Sequence, residues 1–170
     1  VGLGKVARDR GDLATAERLM RDGLIIREKT IGEKNTFTQL ARVDLADVLR
    51  RQGQLSDARS AFETALEVMR STGDGGHPTA AQALTGLAQV ELAEGNIDDA
   101  ARMLEVAIEM TTSSIGRDHL DNVNRRLLLA DVFAARGDDA RAKTLRDDNL
   151  TARAGIIAQW QAALVKSKGE

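Results

Sequence analysis

Two histidines, His77 and His119, and three aspartate pairs, Asp98-Asp99, Asp138-Asp139 and Asp147-Asp148, are the residues whose types could do chemistry. Histidines ligate metals, and neighbouring carboxylates act as general acid and base. The spacing argues against both roles. The histidines stand 42 residues apart, the chain has no cysteine, and no second histidine lies near either one to complete a metal site. Adjacent helical residues point about 100° apart, so each aspartate pair splits its carboxylates; Asp98-Asp99 and Asp138-Asp139 also fall where a helix start favours negative charge. Gly2-Leu3-Gly4-Lys5 and the glycines at 73, 75 and 76 lack both the Gly-Lys-Ser/Thr ending of a phosphate loop and the strand before it. Asn149-Leu150-Thr151 fits a glycosylation sequon but falls in a helical stretch. With no catalytic, cofactor or metal constellation, the chain reads as a non-enzyme.

The tripeptide Arg-Gly-Asp occurs twice, at residues 10–12 and 136–138, and would suggest cell adhesion if it stood alone. Its glycines belong to a longer series. Gly11, Gly53, Gly95 and Gly137 follow one another at intervals of 42 residues, and the flanks keep the same period. Leu3, Leu45, Leu87 and Leu129 align before the glycines, as do Val6, Val48, Val90 and Val132; Ala16, Ala58, Ala100 and Ala142 align after them. His77 and His119 share a column with Asn35, which makes them loop punctuation between repeats.

Composition narrows what such repeats can be. Of 170 residues, 42% are hydrophobic but only 2% aromatic, and a single proline interrupts the chain, so the core must come from helix-compatible Ala, Leu, Val, Ile and Met. Twenty-four Lys and Arg against 26 Asp and Glu give a net charge of -2, which offers no electrostatic footprint for nucleic acid or for an anionic membrane surface. No apolar run approaches the roughly 18 residues that span a bilayer, and the N-terminus lacks a signal-peptide layout. Together with the absence of cysteine, this sets a cytoplasmic expectation. The chain starts at Val1 rather than Met, which leads us to expect a piece of a longer protein with a first repeat truncated at its front.

Each 42-residue unit reads as two helices. Residues 36–52 place Leu40, Val43, Leu45, Ala46, Val48 and Leu49 on one broad face near a 3.6-residue period, and Gly53 ends that helix. A return helix over 55–71 carries Ala58, Phe62, Ala65, Leu66 and Met69, and Pro78 marks the next helix start. A hairpin of this kind cannot bury both faces alone, so stacking of neighbours supplies the core.

Leu45-Ala46, Gly53, Ala58 and Phe62, in that order and spacing, resemble the tetratricopeptide repeat; the 42-residue period with Gly and His-Pro between units is similar to its kinesin-light-chain type. The resemblance implies an all-α fold: a right-handed α-α superhelix of about four hairpins over residues 1–153. It also implies a non-catalytic module that takes a protein or peptide partner in a concave groove lined by the first helices. By that resemblance the groove candidates are Lys5 and Arg8 in the truncated unit, then Asp44, Asp47 and Arg51, then Gln82 and Gln89, then Asn124 and Asp131. The alternative for these side chains is an ordinary solvated face.

Residues 154–170 extend the last helix and end in a short polar tail. Ile157, Trp160 and Leu164 keep helical spacing there, and the stripe either folds back as a C-terminal cap or forms the seam of a weak homodimer. The need of a repeat array for covered ends favours the cap and a monomer. The runner-up function is accordingly a structural spacer or self-association arm of a larger signalling protein of bacterial type.

Overall fold

The computed structural model describes residues 2–168, apart from the side chains of residues 113, 114 and 164–168. The described residues form eight helices and no strand: α1 (Gly2–Asp9), α2 (Leu13–Ile31), α3 (Thr36–Arg51), α4 (Leu55–Ser71), α5 (Pro78–Ala93), α6 (Ile97–Ile115), α7 (Leu120–Ala135) and α8 (Asp139–Lys168). Their starts obey the sequence period. α3, α5 and α7 begin 42 residues apart, and so do α2, α4, α6 and α8.

The turn column explains that regularity. Gly11, Gly53, Gly95 and Gly137 all have positive φ, from 79° to 86°, which a side chain would oppose. Around Gly53 the hydrogen bonds form a Schellman motif: its amide donates to the Arg50 carbonyl at 3.0 Å and the Gln54 amide donates to Leu49 at 3.0 Å. The same pair recurs at the other three turns, with Asp12 on Ala7, Asn96 on Glu91 and Asp138 on Phe133. In the two Arg-Gly-Asp copies the aspartate then caps the following helix. Asp12 Oδ1 accepts from the Thr15 amide at 3.1 Å and Asp138 Oδ1 from the Arg141 amide at 3.2 Å. Both tripeptides are therefore helix-turn elements.

The column at the other end of each unit caps the first helices. Asn35 Oδ1 accepts from the Phe37 amide at 2.9 Å, His77 Nδ1 from Thr79 at 3.1 Å and His119 Nδ1 from Asp121 at 3.2 Å. No group of three metal-capable side chains exists among the described residues.

Ala16, Ala58, Ala100 and Ala142 are almost fully buried and let paired helices approach closely, while Met20, Phe62 and Leu104, four residues on, fill the space between units. The stacking makes one helical solenoid in which each helix packs on its neighbours in the chain and α3 also packs on α5 of the next unit. In the last unit Arg146 stands in the column of Phe62 and reaches Asp131 on α7 at 3.0 Å. Asn149 stands where the second unit has Ala65; it is buried and accepts from Arg126 Nε at 3.0 Å.

The C-terminal stripe lies on the extension of the last helix. α8 covers α7 with its first half and then continues as a single helix through Gly155 instead of folding back. Ile157 and Trp160 remain 53% and 64% exposed, whereas Ile156 is half-buried and, with Gly155, Gln159 and Trp160, lines a cavity against the α6–α7 loop. Among the described residues no positive φ follows Gly137, and Gly155 stays helical, so α8 runs on as one helix. The Leu164 side chain lies outside the described residues.

Candidate functional site

The face formed by α1, α3, α5 and α7 encloses a cavity of about 590 Å³. Six of the nine groove candidates line it: Arg8 from α1, Asp47 and Arg51 from α3, Gln82 and Gln89 from α5, and Asn124 from α7. Successive inner helices present residues 47 and 89 at the same register, one repeat apart, which is how the period places polar side chains side by side. Val43, Leu128 and the edge of Phe62 give the floor an apolar strip.

Three candidates belong elsewhere. Asp44 is 1% exposed, tucked beneath α1, with Lys5 Nζ at 2.9 Å from its carboxylate. That contact commits Lys5 to a structural pair and takes Asp44 out of reach of a ligand. Asp131 repeats the register of Asp47, but it lies outside the cavity, where Arg146 holds its carboxylate. The pattern could not reveal this, because Arg146 replaces the Phe62-type residue that is buried in other units.

Charge in the groove is unevenly distributed. At the α1–α3 end the Asp47 carboxylate accepts from Arg50 at 2.8 Å and Arg51 at 2.9 Å, with Arg8 at 3.7 Å, and Arg8 also pairs with Asp9 at 2.9 Å, so two carboxylates serve three guanidinium groups. The middle is neutral and polar, with Thr79, Gln82, Thr85 and Gln89 around the bare backbone of Gly86.

The α7 end holds Arg125, which the polar stripe of the sequence did not single out. It occupies a column filled by Ala41 and Ala83 in the preceding units and is 7% exposed. Its Nε donates to Thr85 Oγ1 at 3.1 Å, and its Nη1 donates to Asn122 Oδ1 at 3.0 Å and Thr111 Oγ1 at 3.3 Å. Burial pulls its pKa down from the ordinary arginine value, with Asp121 acting in the opposite direction from beyond ion-pair distance. A large polar residue breaking a small-residue column was the available signal.

Outside the groove, Arg59 on α4 bridges to the next unit, meeting Glu91 at 2.5 Å and Glu94 at 2.6 Å. Hydrogen bonds from Arg59 and then Asn96 hold the Glu91 carboxyl below its usual range, and the hydrogen bonds of Arg59 to Glu91 and then Glu94 raise the Arg59 pKa.

The tetratricopeptide repeat family model matches residues 1–71 and 37–113. The chain belongs to the tetratricopeptide repeat family. A crystal structure of a putative kinesin light chain with nearly identical TPR-like repeats from Podosopora anserina superposes with a TM-score of 0.74 at 20% identity, over 91% of this chain and 73% of that one. BtubC (BKLC) from P. vanneervenii gives 0.77 at 20% identity, over 90% and 60% of the two chains. MamA gives 0.58 at 18% identity, over 98% and 83%. No curated protein sequence matches the chain at a significant level. The matches place the 42-residue units among kinesin-light-chain-like TPR solenoids, a fold that serves as a protein-interaction scaffold. Among the described residues no helix is long and apolar enough to cross a membrane.

Proposed function

We propose that the chain is a non-catalytic, cytoplasmic interaction module that holds an extended peptide segment of a partner protein in the groove of α1, α3, α5 and α7. The observation that carries this reading is the cavity of about 590 Å³ in which side chains from four successive units converge on one face. Multipoint polar contact to a preformed surface limits the ordering cost of binding, and the apolar strip at Val43 and Leu128 supplies desolvation.

The test is selection of a random-peptide phage library on the immobilised chain, followed by titration of enriched peptides against wild type and a Gln82→Ala, Gln89→Ala, Asn124→Ala triple variant. Loss of binding with an unchanged helical spectrum supports the groove. Unchanged affinity in the triple variant sinks it.

A second reading, self-association through α8, draws on the exposure of Ile157 and Trp160. Sedimentation equilibrium decides it: a monomer independent of concentration removes it, whereas a dimer abolished by Trp160→Ala sustains it.

A further inference from the structure

We propose that the exposed face of α8 is the seat of an acidic amphipathic helix from a partner protein, lying against α8 as α7 lies against α6. The seat is on the last helix of the solenoid, outside the groove, and does not depend on the groove reading. Its residues are Lys143, Arg146, Leu150, Arg153, Ile157 and Trp160, whose alternating spacing of three and four puts them on one stripe of the helix.

The earlier units show what this stripe receives. Arg146 shares a column with Phe62, which lies against Gly86 on the first helix of the next unit. Arg153 shares one with Arg27 and Thr111; Arg27 donates to the Phe37 carbonyl on α3 at 2.9 Å, and Thr111 donates to Asn122 on α7 at 2.6 Å. Leu150 shares one with Leu24, which is buried, and with Leu66 and Ile108, which pack on the core clusters. On α8 Leu150 is 68% exposed, and Arg146 and Arg153 are exposed beside it. Register therefore makes this a face that receives a helix.

Charge selects the helix. Lys143 stands at the register of Arg59, whose guanidinium holds Glu91 and Glu94 of the following unit. Arg146 meets Asp131 at 3.0 Å, while Lys143 and Arg153 have no carboxylate partner among the described residues. Asp147 and Asp148 point at least about 60° away from Leu150 round the helix, and Arg117 pairs Asp148 at 2.7 Å. The stripe is thus basic and apolar, and its complement carries carboxylates beside an apolar strip. A second α8 would bring more arginines to the seam, so another copy of this chain is the poorer fit. At the far end Trp160, with Ile156 and Leu120, lines a cavity of about 830 Å³ between α8 and the α6–α7 loop, a recess for a bulky side chain of the partner.

Trp160 is the only tryptophan in the chain, so its emission reports on this face. The test titrates the full chain with a tryptophan-free peptide of three heptads, leucine at the first and fourth positions and glutamate and alanine elsewhere. A saturable blue shift is expected, with none from the same peptide carrying lysine for glutamate. The double variant Lys143→Glu, Arg153→Glu is expected to weaken binding by roughly tenfold or more while the circular dichroism stays unchanged. The Gln82, Gln89 and Asn124 triple variant is expected to bind the peptide as wild type does; a loss there would move the site to the groove and overturn the proposal. No shift with the acidic peptide, or equal binding by the double variant, also overturns it. So does a dimer in sedimentation equilibrium that Trp160→Ala abolishes, which gives the stripe to a second copy. A shift with phosphatidylserine vesicles but not with the peptide overturns it in favour of a lipid surface.

Discussion

The ring of Phe62 occupies the space where a side chain on Gly86 would begin: a Cβ built there would collide with the ring, far inside van der Waals contact. Phe62 comes from α4 and Gly86 from α5 of the next unit, so this pair sets how closely two repeats stack. Gly86→Ala is expected to destabilise the chain by about 1–3 kcal/mol through overpacking, despite the usual helical preference for Ala. Phe62→Leu leaves space and costs a similar amount. Combining them is expected to cost less than the sum, and urea unfolding of the four proteins in a double-mutant cycle reads the coupling.

His77 caps α5 by accepting at Nδ1, as Asn35 does for α3 at the same register. His77→Ala is expected to cost about 1 kcal/mol, and His77→Asn to be nearly neutral, because Asn supplies the same acceptor. Thermal unfolding of both variants checks this. A loss of equal size in both would show that the imidazole does something besides capping.

The staple between Arg59 and Glu91 makes stability depend on acid. The Glu91 pKa is lowered on folding, so its contribution is present above the unfolded value near 4.5 and is lost as pH falls through the lower folded value. Urea midpoints should therefore drop below about pH 4.5, and Glu91→Gln should flatten that limb of the profile. At pH 7 the same substitution is expected to cost about 1–3 kcal/mol, since it weakens a charge-assisted hydrogen bond in a mostly buried site. An unchanged acid limb would place the titration elsewhere.

The sequence carried the architecture further than the site. Gly53 and its equivalents mark turns that need positive φ, and Ala58 and Phe62 mark close approach and space-filling, so one period encodes both helix limits and packing. Side-chain fate within a column is another matter. Residues 47, 89 and 131 share a register, but only the first two line the groove, because Arg146 reaches the third. Asp44 looked like a groove residue and is buried under α1. Arg125 lies in a column that otherwise holds alanine and belongs to the groove wall. These depend on which long side chain reaches across from a neighbouring helix, and a one-dimensional period does not contain that.

The Lys5–Asp44 contact gives the last expectation, an asymmetry between its two partners. Asp44 is 1% exposed, and its register holds Gly86 and Leu128 in later units, so the site accepts an uncharged residue. Asp44→Leu removes a buried charge and leaves Lys5, already 39% exposed, to turn its ammonium to water; the variant should be as stable as wild type or more so. Lys5→Met strands the carboxylate and is expected to cost roughly 3 kcal/mol. The double variant should recover most of that loss. Guanidinium unfolding of the three proteins measures the asymmetry, and titration of a groove-bound peptide should give the same affinity for Asp44→Leu as for wild type. Weakened peptide binding in that variant would return Asp44 to the groove wall.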